Sequence, residues 1–524
     1  MEYGLRADLT LYAGGLGVLA GDYMKAAGEL RLPVTGLGLL WSEGYGRQSV
    51  GPDGAPQTHA AHTRRDLLEP VGVEVEVDIE GQPVRAAAWR VTESGTAPLY
   101  LLEPVDPVHQ WITRRLYGGD ADHRVAQEIL LGVGGVRLLE ALGLTVDAYH
   151  FNEGHAIFAA HELIRQRMAA GATFAEAREE IRPRLVFTTH TPVPAGNEAH
   201  SLEQLERMGA TVGLPIDDLR AVGGEPYSLT AAALRLCRRA NAVAQLHGKT
   251  AVDMWKHIDD AAPIIAITNG VHCRTWQDRR VVAATERSKS IRERRLALWA
   301  AHMRAKQELV DAIARRSGAQ VLPDRLLIGF ARRATGYKRA TMILGDTERV
   351  GPLLEQRKLQ LVFAGKAHPS DASGNKIISD LVAASKRWPG SVVFLENYDM
   401  CLGALLTRGC DVWLNNPRRP MEASGTSGMK AAMNGVLNLS ILDGWWPEGC
   451  IHGETGWRIG DGASADDERD SEALYRVLEE EVIPRYYQGR EAWIDMMLAS
   501  VAMASWRFSA TRMIEDYYRN LYAR

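Results

Sequence analysis

The chain has 524 residues, 46 % of them hydrophobic and 24 % charged, with a formal net charge of −4. That length exceeds what one core organises, so two or three domains are expected, and the ordinary composition excludes a disordered or fibrous protein. The small net charge gives no reason to expect nucleic acid or a membrane surface as a partner. No apolar run approaches the length of about 18 residues that a membrane span needs, and there is no basic-then-apolar leader. Five cysteines, Cys237, Cys273, Cys401, Cys410 and Cys450, are scattered without C-x-x-C spacing. This excludes a structural zinc site and points to reduced thiols and a cytoplasmic setting. No internal repeat or low-complexity linker is visible.

Residues 11–22 place Gly14, Gly15 and Gly17 ahead of an apolar stretch that continues helically to Leu30. Such a loop is either a plain turn or a place where backbone N–H groups approach an anion. Its spacing is not that of a P-loop. Val34–Leu40 reads as a parallel strand. Residues 73–102 alternate with period two and read as a small antiparallel excursion. Arg124–Leu142 reads as an amphipathic helix. Ala148–His155 is a strand running into a polar turn, with Asn152, Glu153 and His155 at its C-terminal end, where open α/β sheets bind ligands. Leu185–Pro192 repeats the pattern and ends at His190. Ala240–His247 and Ile264–His272 are two more such units, the second carrying Asn269-Gly270.

Residues 286–318 are charged and helical, with Arg292, Arg294, Arg295, Arg304, Lys306, Arg315 and Arg316. They read as a solvated face on an interdomain connector. Five short apolar runs follow: Leu326–Phe330, Leu359–Phe363, Val392–Leu395, Asp411–Leu414 and Val436–Ile441. Helix-compatible segments separate them, which implies a second parallel sheet. After the first run come four cations, Arg332, Arg333, Lys338 and Arg339, which invite an anion.

The stretch Asn415–Gly435 is the most informative. Its polar middle, Glu422-Ala-Ser-Gly-Thr-Ser-Gly428, has little reason to be buried unless it binds something. Met429–Met433 reads as a helix opening, with Ser424, Thr426 and Ser427 as candidate N-caps. A lysine inside a helix N-terminus conflicts with the macrodipole unless its nitrogen is neutral and an anion lies beside it. Lysine is the side chain that condenses with pyridoxal 5′-phosphate.

The wording EASGTSGMKAAMNG resembles the cofactor segment of the α-glucan (glycogen, starch and maltodextrin) phosphorylases, in a short bacterial-type form. Six motifs in the family's order extend the resemblance from the glycine loop to the C-terminus. The fold implied is α/β of the GT-B type: two Rossmann-like domains with parallel sheets facing an interdomain cleft. The N-terminal domain is expected over residues 1–290, the helical connector over 291–322, and the pyridoxal phosphate domain over 323–499. A final helix over about residues 500–524 is expected to cross back to the first domain. The family has one more strand ahead of the glycine loop, so the first sheet edge is expected to lack it.

The resemblance implies Lys430 as the covalent pyridoxal phosphate lysine. It places Arg332, Lys338, Thr426, Ser427, Gly428, Gly15 and Tyr398 at the cofactor. It places Gly14, Gly15, Glu153, His155, His190, Asn269, Glu422, Ser424 and Gly425 at the glucan and phosphate. Arg333 and Lys338 are expected on the substrate phosphate, and His190 on the glucosyl ring, so that Lys430, Arg333, Lys338 and His190 form the catalytic set. No metal is expected. Thr335 and Gly336 depart from a His-Glu pair common in the animal enzymes, and Asn241-Ala-Val replaces the family's frequent Asn-Gly-Val.

The reaction implied is retaining, reversible phosphorolysis of α-1,4-glucan or maltodextrin by orthophosphate, giving glucose 1-phosphate. The cofactor phosphate would be the proton partner of the substrate phosphate. A homodimer is carried as the assembly. Two rivals remain: a nucleotide-sugar glucosyltransferase of the glycogen-synthase type, and a glucan-binding relative that has lost turnover.

Overall fold

A parallel strand covered on both faces must be apolar at every position, because successive side chains point to opposite sides. The second half of the chain follows this rule. In the computed structural model, which describes residues 1–92, 95–193, 196–288, 290–463 and 465–523, the chain forms two compact units. The first comprises Met1–Tyr45, Ala60–Thr268 and Met513–Arg524. The second comprises Gly46–His59 and Asn269–Arg512. Both mix helices with parallel sheets, so the class is α/β. Among the described residues no helix is long and apolar enough to cross a membrane.

The first unit opens with helix α1 (Gly15–Glu29), which follows the glycine loop as its sequence predicts. Strand β1 (Gly36–Leu39) pairs in parallel with β4 (Leu99–Pro104). Strands β2 (Leu68–Ile79) and β3 (Gln82–Val91) complete that sheet in antiparallel fashion, which is the expected excursion. Helix α2 (Ala121–Ala141) differs from the amphipathic reading. Its residues from Val125 to Val136 are all buried, because it packs against β1 and β2 on one side and α3 (Phe158–Ala169) on the other.

A second, all-parallel sheet holds β5 (Tyr149–Asn152), β6 (Leu185–Thr188), β7 (Arg239–Ala242) and β8 (Ile264–Ala266), in the spatial order β8-β7-β6-β5. Its register aligns Asn152 with Thr188 and Thr188 with Asn241, so the loops after these strands leave from one edge. The Asn241 side chain is used inside the sheet, where Thr188 Oγ1 donates to its Oδ1 at 2.6 Å.

In the second unit, helix α4 (Ile291–Ser317) begins with a capping box, Ser290 and Glu293, and ends at Gly318 in the left-handed region. Leu298, Ala301, His302, Ala305, Leu309, Val310 and Ile313 form its buried stripe at helical spacing. The basic residues of this helix do not all face solvent. Lys306 is fully buried and donates to Asp411 Oδ2 at 2.6 Å, Arg325 O at 2.6 Å and Tyr486 Oη at 3.0 Å.

The sheet that follows is all-parallel, made of β9 (Leu326–Ala331), β10 (Leu359–Ala364), β11 (Val392–Leu395), β12 (Val412–Asn415), β13 (Leu437–Ile441) and β14 (Gly456–Ile459). Its order is β11-β10-β9-β12-β13-β14. Ile328, Phe330, Leu361, Phe363 and Leu414 enter one core cluster, and Leu327, Val362, Val393 and Trp413 enter the other. Burial on two sides is why these strands read as continuous apolar runs. The sixth strand, β14, is not among the five expected. It has four residues, one of them the exposed Arg458, so it carries no apolar run.

Candidate active site

In the first unit the glycine loop already holds a carboxylate. Glu2 Oε2 accepts from Ala13 N at 2.6 Å and from Gly14 N at 3.2 Å, and Tyr117 Oη donates to Glu2 Oε1 at 3.0 Å. A Cβ on Gly17 would stand 2.6 Å from Glu2 Oε2, so glycine is required there for the carboxylate to seat. Gly15 faces open space. The sequence reading did not single out Glu2.

At the edge of the parallel sheet, Glu153 and His190 are brought together. Glu153 adopts φ 71° and ψ 175°, a region that side chains other than glycine's avoid. What holds it there is its buried carboxylate, which accepts from His190 N and, at 3.0 Å, from Thr191 Oγ1. Burial raises this carboxyl to about 7 despite those donors. His190 Nε2 donates to Asn152 Oδ1 at 2.7 Å, and burial drops its pKa to about 3, so the ring is neutral near pH 7. His155 is likewise held neutral, at about 4, by burial and by the Arg124 charge. Arg124 Nη2 lies 2.7 Å from His155 Nδ1.

The second unit brings together Arg332, Lys338 and Glu422. Glu422 Oε2 lies 3.0 Å from both Arg332 Nη2 and Lys338 Nζ. Burial pushes this carboxyl up, but the two cations more than offset it and hold it below the usual range. Arg332 also donates to Asn415 Oδ1. Arg333, expected beside them, is exposed and lies outside the trio.

Arg339 is turned away from the expected anion site. It is buried against Asp467 and Asp470 at 2.8 Å each and donates to the Asn416 and Pro417 carbonyls, so it is a structural tie rather than a free cation. Under Glu422 lies Asp443, whose carboxylate accepts from Glu422 N and Gly444 N at 2.9 Å each and is raised by burial to about 7. Asp443 is not among the candidate site residues, because its residue type alone gives no sign of this role.

Helix α5 (Thr426–Ala432) carries Lys430 in its last turn, not its first. The expected conflict with the macrodipole is therefore absent. The cap is Gly425, at φ 88°, and none of Ser424, Thr426 or Ser427 caps the helix. Ser427 Oγ instead accepts from Trp413 Nε1 at 3.2 Å, Thr426 is half-buried, and the Gly428 carbonyl accepts from Asn438 Nδ2 at 3.0 Å. Lys430 is 7 % exposed, and its Nζ lies 3.5 Å from the centre of the Trp276 ring, a residue the sequence reading missed.

Tyr398 packs against the core cluster beside Gly403, and burial raises its phenol to about 12. Asn269 is buried, its carbonyl takes Arg512 Nη2 at 3.1 Å, and its Oδ1 has no partner among the described residues. The hydroxyls of Ser424 and Thr335 are also buried without partners among the described residues.

These residues fit pyridoxal phosphate. A buried lysine lies on an aromatic face, two further cations in the same unit form an anion site, and two hydroxyls have unmet hydrogen-bonding capacity. The family model described as carbohydrate phosphorylase matches residues 266–448. The whole chain aligns with maltodextrin phosphorylase of Thermococcus litoralis at 39 % identity, covering 70 % of that protein. It aligns with glycogen phosphorylase of Mycobacterium tuberculosis at 38 %, covering 70 %, and with that of Aquifex aeolicus at 36 %, covering 85 %.

Proposed function

The chain belongs to the carbohydrate phosphorylase family, and from that premise we propose that it is an α-1,4-glucan phosphorylase. It would cleave maltodextrin or a longer α-1,4-glucan with orthophosphate and release glucose 1-phosphate with retention. The observation that carries this reading is the half-buried pair Arg332 and Lys338, drawn onto the chain's own buried Glu422 carboxylate. Two desolvated cations on one carboxylate form an anion site, and phosphate is the anion this chemistry needs.

Lys430 would hold pyridoxal 5′-phosphate covalently, with Arg332, Lys338, Thr426 and Ser427 about its phosphate and Tyr398 and Trp276 about its ring. Bound there, the group would supply a phosphate that titrates near pH ~6, next to the substrate phosphate. The chain's own residues do the rest. Arg333 and Lys338 neutralise the incoming orthophosphate, which passes a proton to the departing glycosidic oxygen as the C1–O4 bond breaks and a C1–O–P bond forms. Glu422, Ser424 and Gly425 bind the glucosyl unit, and Asp443 fixes Glu422 by its backbone.

Asn269 offers its unpartnered Oδ1 to a sugar hydroxyl. His190 donates through Nε2 to Asn152 and so turns Nδ1, as an acceptor, to the sugar. Its neutrality leaves the developing positive charge at C1 unopposed. The two-domain GT-B plan, the cytoplasmic setting and a homodimeric assembly are parts of the same proposal.

The test is phosphorolysis of maltodextrin with orthophosphate, together with the mass of the borohydride-reduced protein. One pyridoxal phosphate per chain is expected in the native protein and none in Lys430→Ala, which keeps its fold. Turnover with a nucleotide sugar in place of glucose 1-phosphate would favour the synthase-like rival.

A further inference from the structure

Glu128, His155 and Glu198 have ligand atoms within 4.8 Å of one another, an arrangement that could serve a metal ion. The cation among them is Arg124. Its Nε and Nη2 make a two-point bond to Glu198, at 2.6 and 2.9 Å, and its Nε lies 3.4 Å from Glu128 Oε1. Nη2 also reaches His155 Nδ1 at 2.7 Å. Behind the guanidinium, Glu128 Oε2 lies 3.1 Å from His200 Nε2. The guanidinium carbon sits 5.3 Å over the Tyr117 ring, and the Tyr117 hydroxyl binds Glu2, which anchors the glycine loop. One guanidinium therefore connects the turn after β5 to the carboxylate beneath the glycine loop.

We propose that Arg124 is a positioning residue that fixes the tautomer of His155, so that this ring presents an Nε2–H donor to a glucan oxygen. The inference rests on the phosphorylase reading above. Its logic is that of donor counting. Glu198 Oε2 also lies 3.5 Å from Nδ1, which offers an Nδ1–H an alternative acceptor. An Nδ1–H would then face the Nη2–H donor at 2.7 Å, and a guanidinium cannot accept. Nδ1 must therefore be the acceptor, and the ring proton sits on Nε2. No described residue takes that proton in a hydrogen bond.

His155 and His190 then form a complementary pair. The first is fixed with its donor outward and the second with its acceptor outward, and a sugar hydroxyl is both donor and acceptor. The groups facing His155 are Arg124 from α2, Glu198, Tyr117 and the Met1 amine, with Glu128, His200 and His190 beyond them.

The experiment uses full-length, ligand-free protein with ¹⁵N-labelled imidazoles, His155 being assigned by comparison with His155→Gln. Wild type should show the Nε2–H tautomer, with no change between pH 8 and about 5. Arg124→Ala should lose the single tautomer, and added guanidinium should restore it. Arg124→Lys keeps the charge but lacks the fork, and should restore it only in part.

In the assay with maltodextrin and orthophosphate, Arg124→Ala should raise KM for maltodextrin about tenfold. KM for orthophosphate should stay near wild type, and guanidinium should recover the loss. An Nδ1–H tautomer in wild type would overturn the proposal, as would an unchanged tautomer in both variants. If the protein proves not to be a phosphorylase, the kinetic arm fails in wild type too, while the spectra still decide the tautomer. If Arg124→Ala does not fold, the Arg124→Lys spectra and KM carry the decision.

Discussion

Two cation clusters, one fully buried and one half-buried, lie at opposite ends of the six-stranded sheet in the second unit, and they differ in how completely the hydrogen bonds of their ion pairs are met. At the N-terminal ends of β9 and β12, Lys306 spends its donors on Asp411, Arg325 O and Tyr486. Asp411 in turn accepts from His302 Nε2 at 2.9 Å and Leu327 N at 2.7 Å. At the C-terminal ends of the same strands, Arg332 and Lys338 share Glu422, and the hydroxyls of Ser424 and Thr335 have no partner among the described residues. His302 Nδ1 has no partner among the described residues, but the Lys306–Asp411 pair itself is saturated, and a saturated ion pair is a strut. An unsaturated one, at the edge where parallel sheets bind ligands, is a receptor.

The largest effect should come from breaking the strut. Lys306→Ala leaves Asp411 charged and dry, and should cost about 3–5 kcal/mol in chemical denaturation. A midpoint equal to wild type would remove the distinction between the clusters. The matching change in the receptor, Lys338→Ala, should hardly move the midpoint, because Arg332 still faces Glu422. It should instead lower phosphorolytic turnover by about ten- to a hundredfold, the loss of one charge-assisted bond to a desolvated phosphate. Equal damage to stability from both variants would merge the two clusters into one kind.

Titration sharpens the comparison with a carboxylate that has no cation. Burial works against the charge of Asp411, but Lys306 and His302 hold it below the usual range. Its contribution is present above the ordinary carboxylate value and is lost as pH falls through the lowered one. Glu153 has the opposite sign. Its pKa rises from an ordinary 4.5 to about 7, so it costs stability progressively as pH climbs between those values. Glu153→Gln keeps the oxygen that accepts from His190 N and Thr191 Oγ1. Its stability relative to wild type should rise over that interval, by about 3 kcal/mol, as read from denaturation at pH 4.5 and 8. A flat difference would mean that Glu153 titrates like a surface carboxylate. The smallest effect on stability is expected at Gly425, whose φ of 88° makes Gly425→Ala cost about 1 kcal/mol. A stability equal to wild type would show that the 422–428 loop yields freely.

The strands of the second unit were legible because burial on both faces writes itself into consecutive apolar residues. Strand β14 was not, since Arg458 breaks its run. The buried state of Lys306 was also illegible, because the partner that decides it lies 105 residues away. The start of α5 was misplaced because its first residues, Thr426-Ser427-Gly428, are weak helix formers and its cap is a left-handed glycine. The candidate site residues were named through their motif wording. The side chains that aim them, Glu2, Arg124, Trp276 and Asp443, carry no local signature, because each acts on a group distant in sequence.

The left-handed Glu153 has a consequence for selection. A search for hardier versions of this protein would find Glu153→Gly attractive, since glycine accepts that backbone without strain. The same replacement would leave the His190 amide and the Thr191 hydroxyl without their acceptor, and the loop that carries His190 would lose its reason to stand where it does. Under the role proposed for His190, robustness and function pull in opposite directions at this position. A lineage that keeps glutamate here tolerates an awkward bend for the sake of a well-aimed imidazole.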